Sequence, residues 1–183
     1  MRLIVPGAEW VCAEEQGTGT EIWRANFGAG HAVVRRAVFR DGRVYICTGF
    51  MKPELWAIKV DGAGDVTDSH VAWTCEKQVP EISSPLVSGS EIYFVSSKGV
   101  ATCLDAKTGE SIWQQRLGGN FAASPLLADD KLYFTSQEGI TTVLKPGRKY
   151  EEIARNQLFG QTLASLAISG DSLLIRTQSQ LSC

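Results

Sequence analysis

Two histidines and five cysteines are the side chains of this 183-residue chain best suited to metal binding or nucleophilic catalysis. Neither His31 nor His70 has a second ligand at the spacing of a metal site, and neither lies beside a recognisable serine or cysteine nucleophile motif. The cysteines form an odd set with no CxxC motif and no adjacent pair, namely Cys12, Cys47, Cys75, Cys103 and Cys183. The pattern of histidines and cysteines therefore predicts no catalytic site and no metal site, and it gives no support for an enzymatic function.

Two of these cysteines lie in apolar, strand-like runs. In the neighbouring repeat, Val95 occupies the position of Cys47 and Val143 occupies the position of Cys103. A free cysteine in such a place is more often a small buried hydrophobe than half of a disulfide, because disulfide frameworks show paired spacings. We therefore expect both thiols to be buried and unpaired.

One acidic stretch is a second candidate for metal chemistry. Residues 61–68 hold three carboxylates, those of Asp61, Asp65 and Asp68, together with two glycines. Carboxylate oxygens bind calcium, but the residue order and the distal glutamate of an EF-hand loop are missing. A solvated hairpin loop is the favoured interpretation, and a calcium site is the alternative.

Composition and charge narrow the classes of partner. The chain is 44% hydrophobic and 21% charged, which is typical of a globular protein and argues against disorder. Its net charge of −2 provides no basic surface for a phosphate backbone, so we expect no nucleic acid partner. No apolar run is long enough for a membrane span. The apolar start of the chain meets Pro6 too early for a signal-peptide core, so no signal peptide is predicted.

The elements that must position these residues are repeated in the sequence. The stretch 84–104 recurs as 124–144, 40 positions later, with Ser-Pro-Leu at the start, Tyr-Phe in the middle and a glycine before the last apolar run. A period of about 40 to 45 residues with several short strands in each unit is typical of a propeller blade. We therefore predict an all-β fold, a β-propeller of four-stranded antiparallel blades that is partial in this chain.

The repeat also predicts boundaries. The chain divides into half a blade, three full blades and half a blade, at 1–30, about 36–83, about 84–123, about 124–164 and 165–183. By this count the first segment supplies an outer strand pair and the last segment supplies an inner pair. Either the two halves pair and close a four-bladed ring, or the chain is an open arc of a larger ring, whose open sheet edges allow self-association. The sequence leaves both alternatives open.

Three tryptophans share one position of the repeat. Trp73 lies 40 residues before Trp113, and Trp23 lies 90 residues before it. A fixed offset of 40 places Ile153 at the corresponding point of the next blade. Large apolar area at equivalent positions indicates structural packing rather than ligand stacking.

A Thr-Gly pair precedes two of these tryptophans. Gly19 and Gly109 each lie between two β-rich runs. A hairpin loop there needs a left-handed residue, which glycine adopts at the lowest cost. We therefore predict a positive φ angle at both glycines.

Several of these motifs resemble a known family. The run Asp-Ala-Lys-Thr-Gly-Glu-Ser-Ile-Trp at 105–113, its weaker copy at 18–23 and the Ser-Pro-Leu blade openings resemble the quinoprotein-type, PQQ-like β-propeller repeat of bacterial, planctomycete-type proteins. The resemblance covers nearly the whole chain. It implies that Trp23, Trp73 and Trp113 dock one blade against the next. Since such proteins are usually longer, seven- or eight-bladed and exported, it also implies a C-terminal fragment located in the periplasm or outside the cell.

The resemblance implies little catalytic chemistry. Quinoprotein dehydrogenases of this type hold PQQ with calcium and an aspartate base, and many have a disulfide between adjacent cysteines, which this sequence lacks. We therefore expect no cofactor and a non-catalytic scaffold that binds other proteins or envelope polysaccharide. The alternative is a fragment of a PQQ-dependent alcohol or sugar dehydrogenase, which would use PQQ with calcium.

Overall fold

The computed structural model describes residues 2–28, 35–49 and 52–182. The chain divides into two compact units, Met1–Glu81 and Ile82–Cys183. His31 and Cys183, considered above as candidate ligands, lie outside the described residues.

The first unit contains two four-stranded sheets. One sheet has the order β1-β2-β3-β7 and the other the order β4-β5-β6-β8. Their strands are β1 (Arg2–Pro6), β2 (Trp10–Glu15), β3 (Glu21–Asn26), β4 (Val38–Arg40), β5 (Arg43–Thr48), β6 (Glu54–Lys59), β7 (Gly64–Asp65) and β8 (Val71–Cys75), with a single helical turn, α1 (Thr67–His70), before β8.

The second unit contains three sheets, each a simple antiparallel meander. The first two have four strands and the last has three. Their strands are β9 (Leu86–Ser88), β10 (Glu91–Val95), β11 (Val100–Asp105), β12 (Ser111–Arg116), β13 (Leu126–Ala128), β14 (Lys131–Thr135), β15 (Ile140–Leu144), β16 (Glu152–Gln157), β17 (Ala167–Ser169), β18 (Ser172–Arg176) and β19 (Leu181–Ser182). The predicted all-β class with four-stranded antiparallel sheets is confirmed. No helix in the described part of the chain is long and apolar enough to cross a membrane.

The middle strands are buried on both faces, as their continuous apolar runs require. Ile92, Tyr93, Phe94 and Val95 of β10 are all 0% exposed. Their neighbours in β11 are buried as well, and Cys103 is 0% exposed, as is Cys47 in the first unit. Both thiols are free, as the sequence predicted.

Two turns between strands have the backbone conformation predicted for their glycines. Gly19 has a φ angle of 68° and Gly109 one of 75°. Both lie in the left-handed region that a side chain rarely adopts without cost. The Thr-Gly signal therefore predicted the loop conformation correctly.

The two end segments differ from the predicted strand count. Each contains three antiparallel strands, β1-β2-β3 at the start and β17-β18-β19 at the end, where the sequence predicted pairs. The additional strands were missed because β1 has no strong alternation and β19 has only two residues.

The acidic stretch 61–68 is not a solvated hairpin loop. Gly64 and Asp65 form β7, which pairs in parallel with Trp23 and Arg24 of β3 and adds a fourth strand to the first sheet. The next residue, Val66, is 1% exposed. The extra length of this blade thus packs against the preceding sheet, because Val66 brings an apolar side chain to the core cluster around Trp23.

The offset of 40 also fails at one position. Cys103 faces Trp113 across β11 and β12, and the equivalent Val143 faces Ala154, not Ile153. The longer connection before β16 moves the register by one residue, which leaves Ile153 49% exposed. The structural counterpart of Trp113 in this sheet is therefore Ala154.

Candidate functional site

Trp23 lies in a fully apolar setting. It faces Ala13 across the first sheet and is 0% exposed. Ile46, Ile58 and Val66 complete the buried cluster around it. Its indole Nε1 has no hydrogen-bond partner in the described structure. Trp23 therefore stabilises the first unit through burial of apolar area rather than through a polar contact.

Trp113 instead meets a backbone turn of the following sheet. Its Nε1 donates a hydrogen bond to the carbonyl oxygen of Gly147, at 3.1 Å. The Gly147 N–H donates to the hydroxyl of Tyr93 at 2.7 Å, and the Cys103 thiol lies 3.9 Å from the Gly147 oxygen. Tyr150 packs edge-on against the Trp113 ring, with centroids 5.5 Å apart. We term Tyr93, Cys103, Trp113 and Gly147 the Gly147 junction.

Trp73 repeats part of this geometry in the first unit. It faces Ala57 across β6 and β8 and packs on Tyr45 with ring centroids 5.9 Å apart and an interplanar angle of 39°. The corresponding pair in the second unit, Tyr93 and Trp113, has values of 6.1 Å and 44°. The three predicted tryptophans thus belong to three different sheets.

An ion pair lies beside the Gly147 junction. Arg148 donates to Asp105 Oδ2 at 2.9 Å and lies 3.7 Å from Glu91. The hydrogen bond from Arg148 lowers the pKa of Asp105 below its usual value. Burial raises the pKa of the Cys103 thiol to about 12, so this thiol is a poor nucleophile at neutral pH. The chemistry of this region is that of a structural contact.

The acidic stretch brings together a serine, a histidine and a carboxylate. Ser69 Oγ lies 2.7 Å from His70 Nδ1, and Asp61 lies 3.8 Å from His70 Nε2. A serine nucleophile also needs backbone donors for the oxyanion. The N–H groups of Ser69 and His70 both already donate to the carbonyl oxygen of Val66, and the Asp61 side chain is 80% exposed. The two backbone N–H groups nearest this serine are therefore not available to an oxyanion, and the carboxylate lies in solvent.

The carboxylates of this stretch are spread apart rather than gathered around a cation. Asp65 accepts hydrogen bonds from the backbone N–H and the hydroxyl of Thr67, which lowers its pKa. Within residues 2–28, 35–49 and 52–182, no group of three histidine, cysteine, aspartate or glutamate side chains is placed to hold a metal ion.

One edge of the second unit forms a continuous hydrogen-bonded surface. It consists of three turns and two connections between sheets, which we term the rim belt: 96–99, 136–139, 177–180, 117–125 and 158–166. Phe121 N donates to Ser97 O at 3.0 Å, and Gln137 N donates to Asn120 O at 2.7 Å. The same two contacts recur one sheet later, where Thr162 N donates to Gln137 O and Gln178 N donates to Gln161 O.

The serines that begin each sheet reinforce this order. Ser84 N donates to Ser124 Oγ, and Ser124 N donates to Ser165 Oγ, both at 2.9 Å. The sequence shows the Ser-Pro-Leu repeat, but it does not show that these serines form hydrogen bonds between neighbouring sheets. The repeated hydrogen bonds hold neighbouring sheets in a fixed relation and make the rim belt a preorganised surface.

The rim belt also bears the most exposed large apolar side chain of the described residues. Phe159 is 92% exposed, and Leu163 on the same connection is 67% exposed. The preceding connection carries Gly118 and Ala122 at the equivalent places. The sequence analysis did not predict this surface. Alignment of the connections 117–125 and 158–166 by their hydrogen bonds shows that Phe159 and Leu163 replace Gly118 and Ala122.

Three exposed polar side chains of the rim belt are uncharged. Asn120, Gln161 and Gln178 are exposed amides on the rim belt. Glu138 is engaged by Asn120, whose backbone N–H and side-chain amide donate to its carboxylate at 3.0–3.2 Å. An exposed aromatic ring among amides suits contact with another macromolecule better than it suits acid–base chemistry.

Comparison with known proteins agrees with this architecture. A family model described as outer membrane protein assembly factor BamB matches residues 7–180. The chain is similar to the crystal structure of BamB from Moraxella catarrhalis, with a TM-score of 0.74 and 13% identity, over 96% of this chain and 53% of that chain. No curated protein matches the chain.

Two further solved structures show the same fold. The computationally designed protein Ika8 aligns with a TM-score of 0.74 and 11% identity, over 95% of this chain and 52% of that chain. A europium-containing methanol dehydrogenase aligns with a TM-score of 0.53 and 13% identity, over 65% of this chain and 23% of that chain. The chain therefore spans about half the length of the first two structures. The predicted partial β-propeller is confirmed, and at these identities the likeness concerns the fold alone.

Proposed function

This chain belongs to the PQQ-like repeat family described as outer membrane protein assembly factor BamB, and we propose that it is a non-catalytic scaffold of the bacterial cell envelope that binds a partner protein through the rim belt. The family description supports a place in the envelope and a protein partner. Because the chain covers 53% of the BamB chain it resembles, the activity and partners of that whole protein come to this chain only as part of the proposal.

The observation that carries the proposal is the exposure of Phe159 on a rigid surface. Phe159 is 92% exposed, so its burial by a partner would contribute favourable free energy to binding. The adjacent backbone is held by hydrogen bonds from Leu158 N to Gly139 O and from Thr162 N to Gln137 O. Because this loop is already ordered, binding a partner there loses little conformational entropy. Aromatic residues are enriched at protein interfaces relative to the rest of the surface.

The donor set of the described residues does not fit a calcium-bound quinone. Oxygen ligands of calcium must converge on one point, and within the described ranges no three histidine, cysteine, aspartate or glutamate side chains are placed to hold a metal ion. We propose that it acts without this cofactor.

A site-specific crosslink would test the proposed surface. A photoreactive amino acid replaces Phe159 in the protein produced in its own bacterium, and a matched protein carries it at Ile153, an apolar residue that is 49% exposed on an outer strand. We expect a discrete protein adduct from position 159, formed in the envelope fraction and suppressed by an excess of unlabelled chain. Equal adducts from both positions, or none from position 159, would contradict the proposal.

The dehydrogenase alternative has a separate test. The purified chain is mixed with PQQ and calcium, and the quinone absorbance and dye-linked oxidation of alcohols and sugars are recorded. We expect no spectral change and no activity. A saturable spectral change with calcium-dependent activity would favour the dehydrogenase instead.

A further inference from the structure

The outer edge of the first sheet carries an additional strand from its own chain. β7 pairs in parallel with β3, and Val66 N donates to the carbonyl oxygen of Arg24 at 2.8 Å. At the following residue, the hydroxyl of Thr67 accepts a hydrogen bond from the N–H of Asn26 at 2.9 Å. The connection between β6 and β8 therefore supplies partners for the outward backbone groups of β3.

β12 is the equivalent outer strand of the first sheet in the second unit. The register of each outer strand with its inner neighbour makes Gln114 the counterpart of Arg24. The same register makes Arg116 the counterpart of Asn26. Backbone groups of an edge strand point alternately toward and away from its neighbour, so the Gln114 carbonyl and the Arg116 N–H point away from β11.

The connection from the next sheet does not cover this edge. Residues 145–151, between β15 and β16, reach Trp113 through Gly147 and Tyr150. They do not pair with β12, whose one sheet neighbour among the described residues is β11. No hydrogen bond from another described residue reaches the Gln114 carbonyl or the Arg116 N–H. Because β12 and this connection belong to the same unit, residues of that unit alone leave the edge open.

The charge of the edge indicates what kind of strand suits it. On the first sheet, the added strand places Asp65 opposite Arg24. On β12, the side chains of Gln114 and Arg116 are exposed, and residues 111–116 contain one positive and no negative side chain. An added strand with an acidic side chain is therefore complementary to this edge.

We propose that the outer edge of β12 binds an extended, acidic segment of a partner protein, which adds to the four-stranded sheet as a parallel fifth strand. One N–H of the segment donates to the Gln114 carbonyl, and one oxygen of the segment accepts from the Arg116 N–H. Strand addition of this kind takes its affinity from main-chain hydrogen bonds and its specificity from alternate side chains. The proposal does not depend on the rim belt, because Phe159 lies on a different connection.

Amide NMR spectra of the full 183-residue chain test the proposal. The probe is a synthetic peptide with the sequence of residues 61–70, which includes the strand that the chain places on the edge of β3. Since the edge of β3 already carries this strand, we expect the added peptide to cause saturable shifts of amide signals in β12, largest from Gln114 to Arg116. No shift in β12 up to the solubility limit of the peptide would overturn the proposal.

Two substitutions, each of which removes one backbone N–H, distinguish strand addition from side-chain contact. Val66→Pro in the peptide removes the donor to the Gln114 carbonyl. Arg116→Pro in the protein removes the outward donor of β12, at a place where an edge strand tolerates proline. Each should weaken binding about fivefold, because one hydrogen bond is lost. Gln157→Pro, at the equivalent place in β16, is the matched protein control and should leave the affinity for the peptide unchanged.

The peptide variants are tested on the wild-type chain, so their results do not depend on the folding of the Arg116→Pro protein. Asp65→Lys in the peptide should also weaken binding, and added salt should weaken the binding of the unsubstituted peptide more than that of this variant. Equal binding of the Val66→Pro peptide and the unsubstituted peptide would overturn the proposal.

Shifts confined to Phe159 and Leu163 would overturn it as well, and they would place the peptide on the rim belt instead. The crosslink from position 159 tests the rim belt without reference to β12. Failure of the strand addition is therefore distinguishable from failure of the proposed function.

Discussion

Two tryptophans at the same position of the repeat stabilise their sheets in different ways. Trp23 is 0% exposed, and its Nε1 has no partner among the described residues. Trp113 is partly exposed, and its Nε1 donates to the carbonyl oxygen of Gly147. The first contact is apolar, made with Val66 after the inserted strand β7, and the second is a hydrogen-bonded turn.

This difference shows that a repeat conserves a position without conserving the interaction made there. The inserted stretch 61–70 brings an apolar side chain to Trp23, whereas the Lys-Pro-Gly-Arg turn brings a backbone carbonyl to Trp113. Gly147 adopts a φ angle of 142°, which a residue with a side chain rarely adopts. The turn can therefore present its N–H to Tyr93 and its carbonyl to Trp113 at the same time.

The largest effect should come from truncating the apolar tryptophan. Trp23→Ala removes a completely buried ring, and such truncations cost about 3–5 kcal/mol of unfolding free energy. Trp113→Ala should cost less, because part of that ring already contacts solvent. Urea unfolding followed by far-UV circular dichroism measures both. A larger loss for Trp113→Ala would mean that the hydrogen bond to Gly147 outweighs the burial of Trp23.

A smaller effect should come from the hydroxyl of the Gly147 junction. Tyr93→Phe leaves the ring in place and removes the acceptor of the Gly147 N–H, which should cost about 1 kcal/mol of unfolding free energy. Tyr133→Phe is the matched control, because Tyr133 occupies the same repeat position in the next sheet. We expect the control to change unfolding free energy by about 0.5 kcal/mol or less. Equal losses in the two variants would show that the junction is not hydrogen-bonded as described.

The smallest effect should be electrostatic and dependent on pH. The pKa of Asp105 is lowered in the folded protein, chiefly by its hydrogen bond from Arg148. A carboxylate of this kind contributes stability above its unfolded pKa of about 3.9 and loses that contribution as the pH falls through the folded value. Wild-type protein should therefore lose slightly more stability than Asp105→Asn between pH 6 and pH 3. Parallel melting temperatures for the two proteins across this range would show that the exposed ion pair contributes nothing.

Much of the fold was predictable from local signals. The 40-residue repeat predicted the antiparallel sheets, and the Thr-Gly pairs predicted the left-handed residues Gly19 and Gly109. The burial of Cys47 and Cys103 followed from the valines at their repeat partners. These features depend on strand periodicity and turn geometry, which act over a few residues and so are visible in sequence.

The contacts between sheets were not predictable in the same way. The shift from Ile153 to Ala154 arises from one additional residue in a connection, and pattern matching at a fixed offset does not detect it. The pairing of Gly64 and Asp65 with β3 joins residues about 40 positions apart in a stretch with no strand signal. The exposure of Phe159 likewise depends on which side of a connection faces solvent.

The sequence by itself determined the all-β class, the repeat period, the conformation of the turn glycines and the family. The tertiary structure alone decided what the side chains at these positions contact: an apolar cluster at Trp23, a backbone turn at Trp113, and solvent at Phe159. The physical reason is range. Strand periodicity and turn geometry are set by neighbouring residues, whereas burial and hydrogen-bond partners across sheets depend on the register of segments far apart in the chain.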